Sequence, residues 1–476
     1  MSMLEDNRQS TTTAKVKDFA PDKSVILSFP FAILAFDDNN VHLTYDVINE
    51  VRDVAANGRG EYRANAKEFG ILLDTLLRNE NAAKGLKLDN GGKLFIHPDS
   101  GISPAKLVSK NPEYILVTRD PYERVFAKVH GIPCEDYKSE QTPIDSQSYD
   151  GRSIIYIPTD EMKQFAKEKI LPVPKKRSFV AVKADGSTII SQHFLTPNEY
   201  LILTDSSNPK HTMLGRYDGV AKAIVPLRYY PGKDVGPVYG VTPRNVGQIF
   251  ALDALLAPPS VAPLVILKGP AGTAKTFLSM AAALAQTVDD WGGDEGFHYK
   301  KILLTRPNTK MDDDIGYLKG GEHEKILPTL RGLIDNIINL SPDADEGHIK
   351  DGVQCGGIVD ELLARGVIDA QAMAYMRGRS IMRQYIVCDE MQNATINQVL
   401  SIVTRVAEES KIVLLGDPNQ IDHLLLDKRT NGISYAADRM RGSNLTFQIT
   451  FDESECTRSP LAAEAIARLT PKGASI

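Results

Sequence analysis

The run Gly269-Pro270-Ala271-Gly272-Thr273-Ala274-Lys275-Thr276 constrains this chain more than any other stretch, because it specifies both a backbone path and a ligand. Before it stands the apolar, strand-like stretch Ala262–Lys268, and after it the alanine-rich stretch Phe277–Ala285 reads as a helix. A strand, a glycine-rich turn and a helix are what a phosphate cradle needs. Glycines let backbone N–H groups close round phosphate oxygens, and the helix N-terminus adds the positive end of its dipole. Lys275 then reaches the β- and γ-phosphates and Thr276 ligates Mg²⁺. The eight residues from Gly269 to Thr276 are the expected nucleotide contacts. The pattern GxxxxGK[ST] has glycine where Ala274 stands, so the extra methyl group requires a negative φ there.

A second run, Gln384-Tyr385-Ile386-Val387-Cys388, is continuously apolar after its first residue, as a parallel strand covered on both faces should be, and it ends in Asp389 and Glu390. Asp389 at the strand's carboxyl end can hold Mg²⁺ through water, and Glu390 can polarise a water for attack on the γ-phosphate. Two further strand-like runs end in polar groups. Ile302–Thr305 delivers Arg306 and stops at Pro307, and Ile412–Gly416 leads to Gln420, placed to contact the γ-phosphate or the attacking water. Arg405 and Arg458 are further cationic candidates. A lone arginine is most often a surface or ion-paired residue, but arginines recurring at strand ends fall where open α/β sheets bind ligands.

With 476 residues the chain is too long for one core and suggests about three domains. Its net charge of −6 gives no global basic signature, so any contact with nucleic acid must come from local patches. Cys134, Cys355, Cys388 and Cys456 lie far apart without zinc spacing, which points to reduced thiols and no structural zinc. The polar start, Met1–Val16, lacks the apolar stretch of a signal peptide, and no run has the roughly eighteen apolar residues of a membrane span. A cytoplasmic protein is expected.

Along the chain, residues 1–18 read as a mobile polar arm. From Ser24 short strands and helices alternate, with Val25–Leu27, Val41–Leu43 and Tyr114–Thr118 as strands and Tyr45–Ala56 and Tyr62–Arg78 as helices. This is an α/β unit with parallel strands, assigned to 19–137. The texture of 138–237 is β-rich, with Phe179–Val182 and Thr188–Ser191 as strands round Asp185-Gly186-Ser187. Residues 238–476 alternate strands and helices again, the pattern of a doubly wound ATPase core.

The third region resembles the PhoH family of ATPases, which are similar to a single RecA-like core of superfamily 1 helicases. The resemblance is carried by ordered segments: Pro243–Gln248, the loop with Lys275, Thr305-Arg306-Pro307, Asp314–Leu318, Glu324-Lys325, Arg377–Ser380, Asp389–Asn393, Thr404-Arg405, Gly416–Asp422 and Arg458-Ser459. It implies that Gln248 reads the adenine edge and that Gln392 and Gln420 couple the phosphate to nucleic acid, with Ala274 a departure from the usual GTGKT. Superfamily 1 helicases set ATP between two such cores, and this chain has one phosphate loop. The missing arginine then comes from a neighbouring subunit, Arg458 or Arg405 acting in trans in a homo-oligomeric ring, a hexamer by the resemblance. The strand moved would be single-stranded RNA, or DNA, with loops near Lys310–Lys319 giving a modest backbone contact.

The first unit resembles a PIN nuclease domain, and a PIN domain joined to a PhoH core is a known arrangement of that family. PIN nucleases cluster acids at the carboxyl edge of a parallel sheet to hold Mg²⁺ or Mn²⁺. The matches here are Asp22, Glu50 and Asp120, with Asp99 as the fourth and weakest, and Lys23 follows Asp22 where the family has threonine. The expectation is an ATP-driven RNA helicase or translocase coupled to a metal-dependent ribonuclease. The alternative is an ATPase ring whose PIN domain does not cut, acting as a helicase or a nucleotide-dependent assembly module.

Overall fold

The computed structural model describes residues 16–58, 60–78, 84–137, 149–174, 177–183, 186, 189–232, 235–289, 298–307, 330–340, 361–376, 378–423, 426–457, 461 and 464. The chain divides into two compact units, Met1–Gln141 and Thr142–Ile476. Arg377 and Arg458, with the segments round Asp314, Glu324 and Lys310–Lys319, fall outside the described residues.

In the first unit the strands β1 (Asp18–Pro21), β2 (Asn40–Thr44), β3 (Leu86–Lys87), β4 (Lys93–His97), β5 (Tyr114–Val117) and β6 (Cys134–Glu135) form one sheet. Its order is β3-β4-β2-β1-β5-β6, parallel throughout except for the β3–β4 edge pair. Val25–Leu27, expected as a strand, is instead buried in the helix α1 (Lys23–Ser28). The strand comes one step earlier, and Asp22 ends it by accepting the N–H groups of Ser24 (2.9 Å) and Val25 (3.3 Å) as a helix cap. The helices α2 (Tyr45–Asn57) and α3 (Gly60–Leu77) follow as expected. Next, α4 (Pro104–Lys110) uses its proline at the first turn behind the cap Ser103, and α5 (Pro121–Val129) is capped by Asp120.

The second unit holds two sheets. The β-rich stretch forms a mixed seven-stranded sheet from β7 (Arg152–Ile157), β8 (Leu171–Pro172), β9 (Phe179–Lys183), β10 (Ile189–His193), β11 (Tyr200–Asp205), β12 (Asn208–Asp218) and β13 (Ala223–Val225), with α6 (Thr159–Glu168) packed on it. The other sheet is wholly parallel: β14 (Leu264–Lys268), β15 (Lys301–Thr305), β16 (Ile368–Ala370), β17 (Gln384–Cys388), β18 (Lys411–Gly416) and β19 (Thr446–Thr450), in the order β16-β15-β17-β18-β14-β19. One face is covered by α7 (Val246–Leu256) and α8 (Lys275–Ala285), and the other by the helices Ile396–Val403 and Gly432–Arg439. Residues of β14 alternate between the two cores, Val265 and Leu267 on one side and Leu264 and Ile266 on the other, as the strand period of two demands.

The two sheets share a core. Tyr200 of β11 stacks on Phe250 of α7 (centroids 4.8 Å apart) and its hydroxyl donates to Asp253 at 2.8 Å. Lys411, fully buried at the start of β18, donates to the carbonyls of Ala254, Leu255 and Ala257 (2.9, 2.8 and 2.6 Å), so it satisfies the end of α7. No helix among the described residues is long and apolar enough to cross a membrane.

Candidate nucleotide site

The phosphate loop leaves β14 at Gly269, where φ is +138° and a Cβ would lie 2.8 Å from Phe451, so only glycine fits. Ala274 sits in the left-handed region with φ +67° and ψ +19°. This overturns the expectation of a negative φ: the loop keeps the glycine path, and the alanine carries the strain. Lys275, at the first turn of α8, folds its Nζ back onto the carbonyls of Gly269 (2.7 Å) and Pro270 (2.8 Å). Thr276 donates to both carboxylate oxygens of Asp389 (3.4 and 3.5 Å).

Asp389 and Glu390 follow β17 directly. Burial, and then the neighbouring Glu390 charge, push the Asp389 carboxyl up to about 6, against the opposing pull of the Glu390 N–H, Arg306 and Lys275. A hydroxyl and a buried carboxylate side by side are the donor set Mg²⁺ takes in phosphate loops, so these two residues fit that ion. Glu390 stands at φ +55°, a conformation that non-glycine residues seldom adopt and that clusters at active sites. Gln392 holds it there. Fully buried, Gln392 donates through Nε2 to Glu390 Oε2 (2.5 Å) and to the Gln420 carbonyl (2.9 Å), while its Oε1 accepts from Asp417 N–H (3.1 Å).

Ala271, Gly272, Lys275, Thr276, Asp389, Glu390 and Gln420 line one cavity of about 230 Å³ with Asn336 from the helix Arg331–Asn339. A larger cavity of about 840 Å³ is lined by Tyr239, Arg244, Gln248, Phe277 and Leu340, and the two share Ala274 and Phe277. The smaller suits a triphosphate, the larger a nucleoside. Gln248 is only 3% exposed and accepts Arg244 N–H at 2.8 Å, while Asn245 caps its helix. The strap Asp452–Thr457 ties these parts together. Glu455 accepts Gly247 N–H (3.0 Å) and a two-pronged bond from Arg152 (2.7 and 2.5 Å), and Thr457 N–H reaches the Gly272 carbonyl (2.9 Å).

The structure thus gathers Lys275, Thr276, Asp389, Glu390, Gln420 and the loop residues in one place. Arg306 lies close enough to act on Asp389. Gln392, expected as a nucleotide contact, stands behind Glu390 and is absent from the cavity lining. Arg405 is also elsewhere: its carbonyl accepts Ile381 N–H before β17 begins, at the opposite edge of the sheet from Asp389. Asn336, Phe277, Arg152 and Glu455 were missed, and only Arg152 carries a signal, a charge at the head of the apolar run Ile154–Ile157.

A family profile described as PhoH-like protein matches residues 240–470, and a PIN domain profile matches 19–138. Protein PhoH2 of Bacillus subtilis (strain 168) is 32% identical over 472 residues, covering 94% of this chain and 98% of that protein. The chain belongs to the PhoH family. Among other relatives of the PhoH chain, Protein PhoH2 of Mycolicibacterium smegmatis is 25% identical over 498 residues, covering 97% of this chain and 99% of its own. A PhoH-like protein of Bacillus subtilis is 34% identical over 203 residues, 43% of this chain and 57% of that one. The PhoH match places the phosphate loop in a P-loop ATPase domain behind an N-terminal PIN domain.

The acids of the PIN domain are differently arranged. Asp22 is taken up by its cap bonds and by the hydroxyls of Ser24 (2.5 Å) and Thr118 (2.5 Å), and burial raises its carboxyl above the usual range. Thr118 also accepts Asp120 N–H at 3.0 Å, so Asp22 and Asp120 stand at neighbouring strand ends. Lys23 does not crowd Asp22 but pairs with Glu50 at 3.0 Å, and Asp99 lies exposed. Among the described residues no three of His, Cys, Asp and Glu come together closely enough to hold a metal ion.

Proposed function

We propose that the protein is an ATP-hydrolysing motor that acts on single-stranded nucleic acid, RNA first and DNA as the alternative. The observation that carries this reading is Glu390, strained and held by Gln392 at the wall of the cavity that Lys275, Thr276 and Asp389 also line. A site that only bound nucleotide would not need a carboxylate positioned to take a proton from water. Thr276 and Asp389 would hold Mg²⁺, which when bound would neutralise charge on the phosphates. Lys275 exchanges the Gly269 and Pro270 carbonyls for phosphate oxygens, Glu390 orients and deprotonates the attacking water, and Gln420 senses the γ-phosphate and reports it through the Gln392 link. Gln248 reads the adenine edge.

The single core and the distance of Arg405 from its own site support a homo-oligomeric ring, a hexamer, with Arg458 or Arg405 reaching the neighbour's phosphate. Such an arginine supplies about a thousandfold or more in rate. Glu390→Gln keeps ATP binding and lowers hydrolysis by about a hundredfold or more, from the usual worth of a positioned base. An unchanged hydrolysis rate sinks the mechanism, and a monomer in sedimentation that hydrolyses at full rate removes the ring.

For the PIN domain the Lys23–Glu50 pair and the engaged Asp22 favour a strand-holding role without cutting. Incubation with labelled single-stranded RNA and Mn²⁺ tests this. Cleavage that disappears in both Asp22→Asn and Asp120→Asn would restore the ribonuclease.

A further inference from the structure

A third cavity, of about 560 Å³, opens at the carboxyl edge of the parallel sheet on the face away from α8. Its floor follows from strand register. Lys268 pairs with Gly416 of β18 and Thr450 of β19, and Gln448 lies two residues before Thr450, so these side chains share the face that carries Ile266. Gly416 has no side chain, and space remains above the other three. The helix Gly432–Arg439 brings Ser434 and Asp438 over it, and Tyr149 with Arg441 stacked on its ring at 4.4 Å forms a wall.

Some of the polar groups here lack partners. Lys268 is 8% exposed and its ammonium makes no hydrogen bond or ion pair among the described residues; burial pulls its pKa below the usual lysine value, against the opposing charges of Asp150 and Asp438. Gln448 Oε1 and Thr450 Oγ1 are buried without partners, and the Asp438 carboxylate has no bond or ion pair among the described residues either. Buried polar groups in folded proteins nearly always have partners, so two such atoms beside the unpaired Lys268 ammonium mark a place built for an occupant. Its volume lies within the ~300–1,000 Å³ of ordinary small-ligand pockets.

The arrangement selects among occupants. The buried Lys268 ammonium stands at the floor and the half-buried Asp438 carboxylate on the helix above it, amides and hydroxyls lie near them, a Tyr149–Arg441 wall stands beside them, and Asp417, Asp452 and Glu453 are further acids of the lining. A simple anion leaves Asp438 repelled, and an apolar ligand leaves Lys268 unpaired. A guanine base meets both: its N1–H and N2–H groups donate to Asp438, its O6 and N7 accept from Lys268, and its ring lies along the Tyr149–Arg441 wall. Lys428 and Arg441 at the mouth suit a phosphate. We propose that this cavity is a guanine-nucleotide pocket, adjoining the ATP site and filled either by a free mononucleotide or by a base splayed from a single strand. Gly269, Pro270 and Asp417 wall it, and the first two also hold Lys275, so its occupant lies directly behind the phosphate loop. The proposal stands on this cavity alone and does not need the motor reading to hold.

The test uses the full chain with the ATP site saturated by a non-hydrolysable ATP analogue and Mg²⁺. GMP, AMP and the five-nucleotide RNAs UUGUU and UUUUU are titrated by calorimetry. GMP saturates one site and binds on the order of tenfold more tightly than AMP, and UUGUU exceeds UUUUU likewise, as a two-point base contact allows. Asp438→Asn, on the helix and outside the phosphate loop, removes the guanine preference, and Lys268→Met weakens GMP by about tenfold at a site lacking its buried lysine. UUGUU binding ten times tighter than GMP assigns the pocket to a strand, and equal binding assigns it to a free nucleotide; both support it. Absence of binding by GMP and UUGUU up to millimolar concentration, equal binding of GMP and AMP, or a guanine preference that survives Asp438→Asn overturns it.

Discussion

Ala274 offers a measurement in which two opposed effects are of similar size. An L-residue in the left-handed region loses roughly 1–2 kcal/mol to the clash of its Cβ with the following carbonyl. Ala274, at φ +67°, carries that cost and Ala274→Gly removes it. Against the gain, glycine makes the unfolded chain more mobile, about 0.4–1 kcal/mol. The Ala274 methyl is part-buried against the core of α7 and α8, and at ~0.8 kcal/mol for a fully buried carbon its loss costs about half that. The balance is a gain of about 0.5 kcal/mol for Ala274→Gly, from strain near the middle of its range. Ala274→Val keeps the strain, adds branching that this region does not tolerate, and pushes methyl groups into the junction of the two cavities.

Urea unfolding followed by circular dichroism, with equal m-values required across the set, gives the order Gly, Ala, Val from most to least stable. Ala274→Val falls about 2 kcal/mol or more below wild type, the usual scale of a special backbone position lost. A fluorescent ATP analogue separates packing from binding. Backbone N–H groups form the cradle, so Ala274→Gly changes affinity by less than about threefold, within 0.7 kcal/mol, whereas Ala274→Val weakens it by about tenfold or more. Loss of more than about 1 kcal/mol in Ala274→Gly would falsify the reasoning, because methyl packing would then exceed the strain.

Gln392→Leu leaves Asp417 N–H without its acceptor and frees Glu390 to leave its strained position, so kcat falls by about tenfold or more while ATP affinity moves less than threefold; equal loss in both places Gln392 on the nucleotide instead. Arg152→Met strands the buried Glu455 carboxylate and destabilises by about 3 kcal/mol, the low end for a broken buried pair because Gly247 and Asp452 N–H groups still reach it. Since Glu455 also holds the start of α7, the same change weakens ATP binding, measured with the fluorescent analogue. Lys411→Met removes the donor to two α7 carbonyls and that of the cap residue Ala257, and lowers stability by about 2 kcal/mol in the same urea assay.

What the sequence disclosed about this site follows the distance over which each residue is fixed. Lys275, Thr276, Asp389 and Glu390 were readable because a strand end and a following turn decide where they point, and both are encoded within about ten residues. The PIN helix at Val25–Leu27 was local too, and its cap Asp22 with Ser24 was in plain view; three apolar β-branched or aliphatic residues outweighed a capping signal that the backbone obeys. The φ of Ala274 is different in kind. Its residue type argued for one conformation, and the loop imposed another because Gly269 and Gly272 on one side and α8 on the other leave a single path. Farther apart still, Arg152 and Glu455 stand 303 residues from one another, and the register that sets Lys268 beside Thr450 and Gly416 joins three strands. Neither pattern exists until the sheet is assembled. Sites of this second sort are invisible to motif reading because no short stretch holds them, and strand register together with unsatisfied buried groups is the observation that finds them.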